Sequence, residues 1–263
     1  MKEAALTIGI ISALPQEQVS LLTKIEDRKQ LTPTVIKGRI GNHTVIVTLS
    51  GMGKVNASST AQMLISQYNI DAILFSGVAG GLNPDYKVGD VVIASKAFQH
   101  DFGYAGESFV MRAVGHLPEI GLGSESADPN IDLSQFWTKK ALDNIKQHAS
   151  ICSESFSAVE VNNQHYHPKL FLNGTDATGD VFVANGELKS KLQELGGDLV
   201  EMEGGAVAQV ALNNKVPCMI IRAISDAADQ QAEINFQTFF EQVASNNATL
   251  VAELVNSINY PIK

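Results

Sequence analysis

The chain has 263 residues, 44% of them hydrophobic and 18% charged, with a formal charge of −9. At about 150 residues per domain this is one large domain or two small ones, long enough to bury a core without a disulfide or metal staple. The acidic balance opposes nucleic-acid binding, which needs clustered cations, and docking on an anionic membrane surface. No apolar run approaches the roughly 18 residues of a membrane span. Met1 to Ile8 carries one Lys followed by an acid and no small-residue cleavage site, so it reads as the start of a mature cytoplasmic protein. Only Cys152 and Cys218 are present, without zinc-ligand or CxxC spacing, and Cys218 within Val216–Ile221 reads as a buried thiol.

Short β-branched runs alternate with helical patterns. Leu6–Ile11 is a buried strand, and Val35–Arg39 with Thr44–Leu49 form a hairpin turning at Gly41-Asn42. Lys54–Tyr68 is a helix with Val55, Ala57, Ala61, Leu64 and Ile65 on its apolar side. Ala72–Phe75 is a buried strand ending in a glycine-rich turn, and Val91–Ala94 is another strand. Phe136–His148 reads as helix, Asp198–Met202 as a strand end, Gly204–Asn213 as helix and Pro217–Ile224 as strand. Phe236–Ile258 is a long closing helix. Residues 105–133 are the least regular, a length that marks a functional loop or interface segment. Strands apolar on both faces and separated by helices predict one α/β domain over residues 1–263. Its central sheet is mixed, mostly parallel, and flanked by helices.

Several motifs fail on spacing. Gly51-Met52-Gly53-Lys54 lacks the P-loop, because position 48 is Thr48 and Val55 follows the lysine. Ser76-Gly77-Val78-Ala79-Gly80-Gly81 follows a strand without the GxGxxG spacing of a dinucleotide site. No GxSxG elbow is present. His165 and His167, two apart, have no third ligand nearby.

What remains is polar chemistry at four strand ends, where open α/β sheets bind ligands. These are Ser12–Glu17, Ser76–Gly81, Val200–Gly205 and Arg222–Asp226. Carboxylates, an arginine and a glycine-rich backbone turn converge there at one edge. Each acid alone also fits a plain helix cap, since Asp and Glu favour helix starts.

These stretches, in this order, resemble the nucleoside phosphorylase superfamily, most closely its methylthioadenosine/S-adenosylhomocysteine nucleosidase family. The similarity extends through Ser50–Val55, Lys87–Val92, His100-Asp101, Thr178–Phe182, Val200–Gly204 and Arg222–Asp229, and is poor over 102–175. It implies hydrolysis of the bond between adenine and ribose, with no metal and no cofactor. In that pattern Asp226 is the acid that protonates adenine N7, with Ser225 orienting it, and Glu17 is the base that polarises the attacking water, helped by Arg222. Glu203 accepts the ribose hydroxyls and Met202 packs under the sugar. Phe182 stacks on adenine, the Val183 backbone reads the purine edge, and Val78, Ala79 and Gly80 complete the binding surface. Val78 and Gly205 depart from the family pattern, which bears on substrate preference.

Phosphorylases of this superfamily hold phosphate with arginines near the first strand and before the glycine-rich turn. Here the arginines are Arg28, Arg39, Arg112 and Arg222, and none lies in Gly9–Gln16 or just before Gly77. A phosphate site needs fixed cationic forks, so water is favoured over phosphate as nucleophile. The purine nucleoside phosphorylase alternative stands as the runner-up. A nucleoside-binding protein without chemistry would have lost the acid or the base, and both are kept. The resemblance further implies a homodimer in which a partner segment near Leu117 and Pro118 closes an apolar tail pocket, with Phe102, Tyr104 and Phe109 as further contributors.

Overall fold

The computed structural model describes residues 5–161 and 164–258; Met1–Ala4, part of the amino-terminal reading, lie outside them. In chain order the elements are β1 (Thr7–Ser12), α1 (Pro15–Leu22), β2 (Glu26–Gln30), β3 (Val35–Ile40), β4 (His43–Leu49), α2 (Lys54–Tyr68) and β5 (Ala72–Gly81). Then come β6 (Val91–Gln99), β7 (Gly103–Ala105), β8 (Phe109–Met111), β9 (Ile131–Asp132), α3 (Lys139–Ser153), β10 (Val159–Val161) and β11 (Gln164–Tyr166). The last are β12 (Leu170–Thr178), α4 (Gly186–Glu194), β13 (Leu199–Glu201), α5 (Gly204–Asn214), β14 (Cys218–Asp226) and α6 (Ala232–Ser257).

The main sheet runs β13-β12-β6-β14-β5-β1-β4-β3-β2. Its centre is parallel, with β1 between β4 and β5 and β14 beside β5. The β14–β6 pair and the β2–β3–β4 edge are antiparallel, so the sheet is mixed. A further antiparallel pairing of β13 with β5 closes β5, β14, β6, β12 and β13 into a ring. Helices cover both faces: α2 packs on α5, while α6 packs on β5, β14, α1 and α3. Among the described residues no helix is long and apolar enough to cross a membrane.

Three readings need correction. The run Ser76–Gly81 is no turn: β5 continues through it, because β14 keeps pairing alongside from Cys218↔Ile73 to Ile224↔Ala79. Small residues there leave room for side chains arriving from β14 and α1. Val55 is 80% exposed, outside the buried stripe Ala57, Ala61 and Leu64 of α2. The helix expected from Phe136 starts at Lys139, where the Thr138 hydroxyl accepts from Ala141 N at 3.2 Å; Leu133–Phe136 is a 3₁₀ turn. Residues 106–132 hold the short strands β8 and β9 and a 3₁₀ turn at Pro118–Ile120.

Candidate active site

The carboxyl ends of β1, β5, β13 and β14 surround one cleft of about 580 Å³, counted out to its open mouth.

Glu17 enters from the first turn of α1. Pro15 starts that helix, and Glu17 turns back to accept from Ala13 N and Leu14 N, both at 2.8 Å. Its other oxygen accepts from Val78 N at 3.1 Å. Burial nevertheless raises its pKa, against the opposing charge of Arg222 and these three amides. Asn247 of α6 donates to the Gly77 carbonyl at 2.9 Å and to the Ser76 hydroxyl at 3.1 Å, fixing the strand that carries Val78.

Beneath the cleft floor lies Arg222, 1% exposed. Its Nη2 pairs with Glu201, lies 3.9 Å from Glu203 Oε2, and its guanidinium stacks 4.1 Å from the Phe75 ring centre. Glu201 also accepts from Thr178 Oγ1 at 2.5 Å, from Glu203 N at 3.0 Å and from Gly204 N at 2.8 Å. The helix-cap reading therefore fits Glu201, whose carboxylate oxygens accept from amides at the start of α5. Removing one partner from such a buried pair costs about 3–5 kcal/mol. Asp176 lies beside this cluster, fully buried, and among the described residues neither oxygen meets a donor. Burial, then the negative charge of Glu201, pushes its pKa well above the ordinary carboxylate value.

Glu203 follows at the start of α5 and accepts from Gly53 N at 2.8 Å. Burial, reinforced by Glu201, pushes its pKa up to about 8 in spite of Arg222.

Asp226 closes β14. Its two oxygens accept from Ser225 Oγ and Ala228 N, each at 2.8 Å. The turn that presents Ala228 N holds this alanine at φ +50°, a left-handed conformation costing roughly 1–2 kcal/mol. Burial raises the Asp226 pKa over both hydrogen bonds. That shift favours the protonated carboxyl, the form able to donate a proton.

Of the residues singled out from the sequence, Glu17, Val78, Ala79, Gly80, Phe182, Val183, Met202, Glu203, Ser225 and Asp226 all line the cleft. Arg222 does not: it is engaged one layer down. Leu117, Pro118, Phe102, Tyr104 and Phe109 do not line it within this chain. Phe182 stands at the mouth, 47% exposed, edge-on to Phe236 with ring centres 5.8 Å apart. Phe236, Met52 and Glu201 were missed as site residues. Glu201 and Met52 lay inside recognised motifs, whereas Phe236 reads as an ordinary helix residue and had no signal of its own. Among the described residues, no Lys, Arg or His lines the cleft. Arg39 pairs with Glu26 and Asp27, Arg112 pairs with Glu119, and Arg28 lies on the exposed β2 strand.

The family model described as the phosphorylase superfamily matches residues 7–256. A 5′-methylthioadenosine/S-adenosylhomocysteine nucleosidase of Mycobacterium tuberculosis is 34% identical over 95% of this chain and 97% of its own length. An aminodeoxyfutalosine nucleosidase of Campylobacter jejuni is 30% identical over 95% of this chain and 99% of its own. A methylthioadenosine/S-adenosylhomocysteine nucleosidase structure from Colwellia psychrerythraea, solved with adenine, superposes with a TM-score of 0.80 at 25% identity, covering 100% of both chains. The Neisseria meningitidis nucleosidase bound to methylthio-immucillin-A gives 0.76 at 27% identity, over 95% and 99%.

Proposed function

Because the chain belongs to the phosphorylase superfamily, we propose that it hydrolyses the N-glycosidic bond of 5′-methylthioadenosine and S-adenosylhomocysteine, releasing adenine and the thioribose product. The observation that carries this reading is the charge of the cleft. Among the described residues Glu17, Glu201, Glu203 and Asp226 line it and no Lys, Arg or His does, so an attacking phosphate dianion has no counter-charge there while water does not need one.

Each residue then has a chemical task. Asp226, whose burial favours its protonated form, gives its hydrogen to adenine N7, and the base leaves neutral; acid catalysis of this kind contributes about 10²–10⁴-fold. Ser225 and Ala228 N hold that carboxyl in place. Glu17, fixed by three amides, takes a proton from the attacking water. The sugar meanwhile develops oxocarbenium character over Met202. Glu203 accepts the ribose hydroxyls, whose hydrogen bonds favour its ionised form, and its charge stabilises the cationic sugar. Arg222 acts from below by balancing Glu17, Glu201 and Glu203. Phe182 stacks on adenine, backed by Phe236, at about 1–3 kcal/mol. Val183 offers its backbone to the purine edge, and Val78, Ala79 and Gly80 form the wall behind the nucleoside.

The same reading makes residues 1–263 one domain, working as a cytoplasmic homodimer. Exposed Met52 and Val55 beside the cleft, and Ile120 and Leu122 beside Leu117 and Pro118, supply apolar surface for a second copy. That copy's Leu117-Pro118 segment would close the pocket for the apolar thio tail.

The test is adenine release from methylthioadenosine in phosphate-free buffer. Release at a rate unchanged by added phosphate, with free thioribose as product, is expected. Cleavage that requires phosphate and yields a sugar phosphate would overturn the hydrolase reading in favour of a phosphorylase.

A further inference from the structure

We infer that Lys54, Asp101 and Asp180 are positioning residues: an ionic latch that holds the base-stacking loop and the Gly53 turn against the cleft and thereby sets how tightly a nucleoside is bound.

The glycine-lysine pair that fails as a phosphate loop has a different partner. Lys54 Nζ lies 2.5 Å from Asp101 Oδ1 and 3.9 Å from Asp180 Oδ2. Lys54 N donates to Asp180 Oδ1 at 2.8 Å, and Asp180 N donates to Asp101 Oδ2 at 2.8 Å. Three segments distant in sequence are thus bound in a closed cycle: the start of α2, the residue pair after β6, and the loop after β12. Both oxygens of Asp101 are used, one by each of the other two segments. Burial opposes its charge, and the bonds from Lys54 and Asp180 N overcome this, leaving its carboxyl below the usual range. The Lys54 and Asp101 side chains are 18% and 27% exposed, so the pair is partly shielded from solvent. Charge-assisted bonds of this type are roughly twice as strong as neutral ones.

None of the three lines the cleft, but Asp180 directly precedes residues that do and Lys54 lies two positions after one, while Asp101 ties the two together. Asp180 precedes Val181, Phe182 and Val183. Lys54 follows Gly53, whose amide donates to Glu203, and Met52, which lines the wall. Successive amides of one turn therefore hold the carboxylate of Glu203 and the side chain of Asp180. Gly53 makes this possible with φ +93°, and a Cβ there would lie 3.1 Å from Asp180 Oδ1. Loosening the latch frees the aromatic loop and the Gly53 turn together, while the residues assigned to proton transfer stay in place. Such a change removes binding shared by ground and transition states, which raises KM and spares kcat.

The effect on a nucleoside rests on the hydrolase reading; the anchoring of the loop does not. Two measurements on Lys54→Met, Asp101→Asn and Lys54→Arg separate them. Amide hydrogen exchange should accelerate at 51–54 and 179–183 alone in the first two variants, and stay near wild type in Lys54→Arg. Steady-state adenine release should show KM raised about tenfold in the first two with kcat within about threefold, and Lys54→Arg close to wild type. Exchange that is unchanged, or accelerated throughout the protein, would overturn the latch, as would a fall in kcat at constant KM. Absence of turnover in the wild-type protein would instead refute the hydrolase reading, and the exchange data would still decide the latch.

Discussion

Gly77→Ala adds one methyl group and alters no chemical function, so it tests the geometry of the catalytic base together with the arginine beside it. A Cβ at this position falls 2.1 Å from Arg222 Nη1, 2.6 Å from Glu17 Oε1 and 3.2 Å from Glu17 Cδ. Ordinary contact begins near 3.5 Å, so the guanidinium must retreat by roughly 1.4 Å and the carboxylate by roughly 0.9 Å. The backbone cannot yield instead: Gly77 is in register with Arg222 on β14, and its carbonyl is held by Asn247. The arginine cannot swing freely either, being paired with Glu201 and stacked on Phe75. Overpacking of this kind costs about 1–3 kcal/mol of stability, which for a domain of this size lowers Tm by a few degrees per kcal/mol. A displacement of about 1 Å in a catalytic group costs on the order of 10²-fold in rate, about 2.7 kcal/mol. Thermal denaturation and steady-state adenine release, measured at a temperature where the variant is fully folded, separate the two effects. A folded variant with kcat/KM within about threefold of wild type would show that Glu17 is not held by the missing side chain, and would refute the reasoning.

The remaining predictions concern charge. Asp226→Asn keeps the shape and loses the proton, so kcat should fall by about 10²–10⁴-fold while calorimetry still detects adenine binding. Turnover within tenfold of wild type would remove Asp226 from proton delivery. Glu17→Gln should lose kcat likewise, through loss of the base. Glu203, raised from its ordinary 4.5 to about 8, keeps in the folded protein a proton that the unfolded chain releases between those values. Its stabilising contribution is therefore full below about pH 4.5 and fades as pH rises towards 8. Denaturation midpoints of the unliganded protein should fall more steeply with pH across that window than those of Glu203→Gln, and equal slopes would refute the assignment.

Much of this was legible in the chain alone. Hydrophobic period located β1, the β3–β4 hairpin, α2, α5 and α6, because those elements bury apolar side chains in a regular rhythm. The strand-end motifs located Glu17, Glu203 and Asp226, because rare polar groups interrupt apolar runs there. Elements without that rhythm escaped notice. The β2 strand is exposed along its whole length, and α4 buries only Leu192. The run through Gly77 looked like a turn because glycine is the usual turn residue, whereas here its missing side chain makes room for Glu17 and Arg222.

Residue types and their order determined the family, the acidic character of the site and the shortage of arginines for phosphate. These are properties of composition and local pattern, carried by neighbours along the chain. How each carboxylate is partnered was decided only by the tertiary structure. Glu201 and Glu203 stand two residues apart, yet one is tied to a buried arginine and the other is driven towards neutrality. The distance to a single guanidinium separates them, and it is set only when β13 and β14 are brought to either side of β5.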